Sequence, residues 1–150
     1  MGVISDKDKQ FIRDHFAKAL AQDVALVYFT QHDSPLSVPS TECMYCKETR
    51  ELLEEVSELS DKIKLEVHDF VGEADLAREY GVERIPATVL KGAAKGIVRF
   101  YGIPAGYEFS SLVEDIVDVS KGTTDLTEAT KAELAKLDKD VHIQVFFTPT

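Results

Sequence analysis

Six consecutive apolar residues, Val24-Ala25-Leu26-Val27-Tyr28-Phe29, constrain this chain more than any other feature. A strand with one face in water alternates apolar and polar residues, whereas an unbroken apolar run of strand length must be covered on both faces. The chain is therefore expected to build a sheet with this strand inside it and helices on either side. At 150 residues it is long enough to bury such a core in one domain.

The neighbouring segments supply the other layers. Ser5 reads as an N-cap, with Asp6 and Asp8 in the first turn, and Ile12, Phe16, Ala19 and Leu20 recur at helical spacing, giving a helix over about 6–20. Leu52, Leu53, Val56 and Leu59 mark the buried stripe of a helix over 44–59. Ile63, Leu65 and Val67 alternate, giving a strand over 63–70. A short helix over 73–80 closes at Gly81, a left-handed cap. Residues 87–91 and 97–101 form a hairpin around the 92–96 turn, and Phe109, Leu112, Val113 and Ile116 give a helix ending near Val119. The order β-α-β-α-β-β-α combines a parallel crossover with an antiparallel hairpin, so the fold class is α/β with a mixed central sheet flanked by helices.

The last thirty residues repeat the beginning. A helix over 127–137 leads into Val141-His142-Ile143-Gln144-Val145-Phe146-Phe147-Thr148, which reads as a strand. Val145-Phe146-Phe147-Thr148 corresponds to Val27-Tyr28-Phe29-Thr30 at an offset of 118 residues. This looks like the opening of a second copy of the same unit; the other reading is a strand that pairs within the first domain. The expected division is an N-terminal helix extension over 1–21, a complete unit over 22–120, and a linker helix plus the first strand of a truncated second unit over 121–150. An unpaired alternating strand also makes a homodimer through this segment a candidate.

Composition narrows the function. A net charge of −10 argues against nucleic acid, whose phosphates need a basic face. No apolar run approaches the roughly 20 residues of a membrane span, and the N-terminus lacks a signal-peptide pattern, so the expected location is cytoplasmic. The chain has no Asn and only four Gln, with many Glu and Lys, a pattern met in thermophiles.

The only two cysteines form the motif Cys43-Met44-Tyr45-Cys46. In a cytoplasmic protein such spacing reads as a redox pair rather than a structural staple. Cys43, at the start of the 44–59 helix, is the expected nucleophile: free N–H groups and the helix dipole favour its thiolate, and such sites lower a thiol pKa from about 8.5 into roughly the 3.5–7.5 range. Lys47 adds positive charge there and Glu42 opposes it. Cys46, more buried, would attack the mixed disulfide and release the product. Two readings compete: half of a metal site, and a fortuitous pair. A zinc site needs four ligands, and His15, His32, His68 and His142 are scattered without ligand spacing. No metal or cofactor is called for. Pro86, just before a strand, is a candidate cis proline.

Cys43-Met44-Tyr45-Cys46 and Tyr80-Gly81-Val82-Glu83-Arg84-Ile85-Pro86-Ala87-Thr88, about 40 residues apart, resemble the thioredoxin superfamily. The full layout is closer to the two-unit protein disulfide oxidoreductases (glutaredoxin-like proteins) of archaea and thermophilic bacteria. Met1 to Asp6, Tyr101 to Phe109, Leu112 to Ser120 and Val145 to Thr150 carry that resemblance. In that family the Thr-Pro-Thr run leads into a second CxxC, which this chain does not reach. The resemblance implies a thioredoxin-like fold, protein disulfide substrates and a thioredoxin-reductase-like electron donor. It also implies a cis Ile85–Pro86 bond facing Cys43, with the Ile85 backbone pairing a substrate segment, Gly102 lining the same groove, and Tyr45 and Ile103 flanking it. Ile103 serves equally well as a packing residue.

Two departures stand out. Thioredoxin proper carries an acid beneath the active site where Tyr28 stands here, which makes this unit more glutaredoxin-like. The segment 31–42 is longer than usual. His32 and Asp33 within it are candidate acid–base groups, although Ser, Pro and charge dominate the segment and favour a solvated loop. His68-Asp69 and His15 read as surface residues. The expected function is thiol–disulfide oxidoreduction on protein disulfides. The alternatives are a substrate-docking first unit with little activity of its own, and a metal- or iron–sulfur-binding module.

Overall fold

A computed structural model describes residues 2–32 and 42–146. The unbroken apolar run becomes the first strand, β1 (Val24–Thr30), in the interior of a four-stranded sheet. The elements around it are helices α1 (Asp6–Ala19) and α2 (Cys46–Ser57), strand β2 (Ile63–Asp69), helix α3 (Ala74–Glu79), strands β3 (Ala87–Lys91) and β4 (Val98–Tyr101), and helices α4 (Tyr107–Lys121) and α5 (Glu128–Leu134). The strand order is β2-β1-β3-β4. β1 runs parallel to β2, with Leu26 opposite Leu65, and antiparallel to β3, with Tyr28 opposite Thr88 and Phe29 opposite Ala87. β3 and β4 form the expected hairpin.

Both faces of β1 are covered, as its composition requires. Leu26 and Tyr28 join Leu90 of β3 in the larger core with Ile12 and Phe16 of α1, Leu52, Leu53 and Val56 of α2, and Leu112 and Ile116 of α4. Val27 and Phe29 lie on the opposite face with Ala87, Val89, Val82 and Ala77 of α3. Helix α1 thus packs into the same core as the rest of the unit. Its start is fixed by Ser5, whose hydroxyl accepts the Asp8 N–H at 3.2 Å, the bond expected of an N-cap. Gly81 and Gly122 terminate α3 and α4 in the left-handed conformation.

Two expectations are corrected. Helix α2 starts at Cys46, not at residue 44, because Tyr45 takes a left-handed conformation (φ 70°) that no helical residue adopts. The strand expected from Val141 is not formed over 141–146, which carry no regular structure, and Ile143, Val145 and Phe146 are exposed. An alternating pattern becomes a strand only when another strand accepts its backbone hydrogen bonds, and none does so among the described residues. Phe147 and Thr148 lie outside the described residues. Helix α5 buries no side chain. Among the described residues, no helix is long and apolar enough to cross a membrane.

Candidate functional site

Cys43 and Cys46 are joined as a disulfide, with Cα atoms 5.5 Å apart. Residues 43–46 form a turn that opens directly into α2. The Cys46 N–H reaches back to the Cys43 carbonyl at 3.5 Å, and the Thr49 N–H donates to the Tyr45 carbonyl at 2.9 Å. Left-handed Tyr45 separates Cys43 from the helix proper. Cys43 therefore sits in front of the helix N-terminus, half-exposed, while Cys46 is the first helical residue and is 7 % exposed. This asymmetry suits one thiol to an incoming disulfide and the other to an internal attack.

The end of β1 holds the turn from behind. Gln31, the residue after β1, accepts the Cys43 N–H on its side-chain oxygen at 2.5 Å. Tyr28, fully buried, donates its hydroxyl to the Cys46 carbonyl at 2.6 Å. Burial pushes the Tyr28 phenol above its usual pKa; the Thr30 and Thr49 hydroxyls beside it and Arg50 pull less strongly the other way. It is therefore a neutral donor across the physiological range. Neither contact was legible in the sequence, since each joins residues from different elements, and only the position of Tyr28 hinted at a role.

The Ile85–Pro86 bond is cis. With Ala87 opposite Phe29, Pro86 comes level with Thr30, the end of β1 from which the chain leads toward Cys43. The Pro86 carbonyl accepts the Gly102 N–H at 2.9 Å, so the proline turn and Gly102 form one surface. Gly102 has φ +85°, and among the described residues nothing lies within 4 Å of the position a Cβ would take. Ile85 is partly buried and Tyr45 is half-exposed beside an exposed Met44. Ile103 packs against the main core, which is the structural of its two expected roles.

Several other residues fall away from this site. Lys47 is exposed and lies 4.0 Å from Glu51, so its charge faces solvent. His68 Nδ1 meets Glu73 at 2.9 Å, and His15 Nε2 meets Glu114 at 3.4 Å; both are ion-pair positions on the surface of the fold. His32 is exposed, and Asp33 lies outside the described residues. Among the described residues, no group of three or more His, Cys, Asp or Glu side chains is placed to hold a metal ion.

Residues 36–114, just over half of the chain, match the thioredoxin domain family. A probable thioredoxin of Methanothermobacter thermautotrophicus is 35% identical over 77 residues, 51% of this chain and 86% of that protein. The crystal structure of a protein disulfide oxidoreductase from Aeropyrum pernix K1 matches with a TM-score of 0.72 at 28% identity, over 89% of this chain and 55% of that one. A mutant alkylhydroperoxide reductase (AhpF) from Enterococcus faecalis matches with a TM-score of 0.71 at 27% identity, over 91% of this chain and 62% of that one. This chain thus spans less than two thirds of either solved structure. It belongs to the thioredoxin domain family. Its CxxC pair, disulfide-bonded at a helix start, makes it a thiol–disulfide oxidoreductase unit.

Proposed function

We propose that this chain is the first of two thioredoxin-like units of a protein disulfide oxidoreductase. The Cys43 thiolate attacks a substrate disulfide, expelling one substrate sulfur as a thiolate. Cys46 then attacks the Cys43 sulfur, forms the Cys43–Cys46 disulfide and releases the second substrate thiolate. The Ile85–Pro86 turn, Gly102 and Tyr45 receive the substrate segment. The observation that carries this reading is the asymmetric disulfide, half-exposed at Cys43 and buried at Cys46, in front of α2.

The repeat of Val27–Thr30 at residues 145–148, together with the 55% share of the longer oxidoreductase, supports a second unit beginning near residue 121. The exposed segment 141–146 is where that unit's sheet, or a second copy of the chain, would pair. Likeness to the alkylhydroperoxide reductase supports a thioredoxin-reductase-like electron donor and protein substrates. A cytoplasmic setting suits a pair that must be reduced again after each turnover.

Reduction of insulin disulfides tests the assignment. The wild-type chain should catalyse it, and Cys43→Ser should abolish it; unchanged activity in Cys43→Ser would remove Cys43 as nucleophile. If a chain extended past residue 150 is active and this one is not, the unit docks substrate rather than turning it over.

A further inference from the structure

Beneath the redox pair the protein places a phenol rather than a charge. Tyr28 lies in the middle of β1, fully buried, and its hydroxyl donates to the main-chain carbonyl of Cys46 at 2.6 Å. That carbonyl belongs to the first residue of α2, whose own N–H has no partner from a preceding helical turn. On its N-terminal side the Cys46 N–H makes only a 3.5 Å contact to the Cys43 carbonyl, and the Thr49 N–H holds the Tyr45 carbonyl at 2.9 Å, both within the turn and helix rather than to the sheet. The phenol is therefore the short bond that fixes the start of α2 to the central strand. Directly opposite Tyr28 in the sheet stands Thr88, two residues after Pro86. One turn beyond Cys46 stands Thr49. Both threonines are fully buried, and neither hydroxyl makes a hydrogen bond of normal geometry among the described residues. The face of β1 beneath Cys46 is thus a bed of neutral hydroxyls that joins the strand following Pro86 to the helix carrying Cys46.

We propose that Tyr28 is a positioning residue for the resolving step: its bond to the Cys46 carbonyl aims the Cys46 sulfur at the Cys43 sulfur of the mixed disulfide. The inference rests on the roles proposed above for the two cysteines. In that step Cys46 gives up its proton to solvent and its thiolate forms a bond to the Cys43 sulfur. The bond from Cys43 to the substrate breaks, and the substrate sulfur leaves with the electron pair. Displacement at sulfur needs the three sulfurs nearly in line, and a shift of the order of 1 Å in the attacking atom is costly in rate. Cys43 makes no hydrogen bond to Tyr28, so the first attack does not depend on the phenol.

Tyr28→Phe keeps the ring and removes only the donor. The test is the reaction of fully reduced protein with the aromatic disulfide dithiobis-nitrobenzoate, followed by rapid mixing. Attack by Cys43 releases one coloured thiolate, and resolution by Cys46 releases the second. Tyr28→Phe should leave the first phase within about twofold of wild type and slow the second by about tenfold. An unchanged second phase overturns the proposal, as does an equal slowing of both phases, which would make Tyr28 a packing residue. A first phase that survives in Cys43→Ser would instead overturn the assignment of the nucleophile. If Tyr28→Phe does not fold, wild-type protein gives the answer through an isotopic label on the Cys46 carbonyl. Its infrared band should lie below that of an ordinary helical carbonyl in both oxidised and reduced protein, because it accepts the phenol as well as its helical N–H; an ordinary helical frequency in the reduced protein contradicts the role.

Discussion

Gly102 carries the sharpest consequence at the scale of single residues. Its φ of +85° is unfavourable for any side chain, yet among the described residues no atom within 4 Å would obstruct a Cβ. Packing among the described residues therefore does not explain the glycine; backbone geometry does, and the proposed substrate groove would add a second reason. Gly102→Ala should cost about 1–2 kcal/mol of stability through the strained backbone. It should also lower kcat/KM for a protein disulfide by roughly fivefold or more, if about 1 kcal/mol of substrate contact is lost. The rate of Cys43 with a small aromatic disulfide should stay unchanged, because a small reagent does not occupy the groove. Steady-state assays with both substrates separate the two effects.

At the scale of elements, α1 shows how the sequence could be read and where reading stopped. Its apolar spacing and the Ser5 cap were legible because both are local patterns. Its attachment was not. Glu55, on the exposed-looking side of α2, accepts the N–H groups of Val3 at 2.6 Å and Ile4 at 3.0 Å and pairs with Lys9 at 3.0 Å. Partial burial raises the Glu55 pKa, but the Ile4 and Val3 N–H groups and the Lys9 ammonium outweigh it, and the net shift is downward. A carboxyl whose folded pKa is depressed contributes stability that is fully present above its unfolded value, about 4.3, and is lost as pH falls through the lower folded value. Glu55→Gln should therefore cost about 1–2 kcal/mol at neutral pH and almost nothing in acid below that folded value. Urea melts at the two pH values would show the difference narrowing as pH falls. A constant difference would mean that the N-terminal segment is held by packing alone.

The same limit explains the error over 141–146. The alternation of Val141, Ile143 and Val145 is a local signal, whereas a strand is a pairwise object. The double-sided burial of β1 was legible for the opposite reason: six apolar residues in a row admit one environment whichever neighbours supply it. The 43–46 spacing announced the redox pair. The starting residue of α2 depended on the φ of Tyr45, which no pattern of residue types encodes.

For the molecule as a whole, one sheet organises both the stability and the chemistry. The strand that must be buried on both faces ends where the redox pair begins. Gln31 and Tyr28, both on or next to that strand, hold the two cysteines from behind. The proline turn enters the sheet at the same end of the adjacent strand. A thiol pair supported in this way should keep its asymmetry in solution, with an outer cysteine that meets substrate and an inner one that closes the cycle. Trapping the intermediate tests that claim most directly. Cys46→Ser, reduced and mixed with a disulfide-bonded peptide, should accumulate a stable mixed disulfide located at Cys43 by mass spectrometry of the intact adduct and its fragments. Cys43→Ser under the same conditions should give little or none. Equal capture by the two variants, or capture through Cys46 alone, would contradict the account.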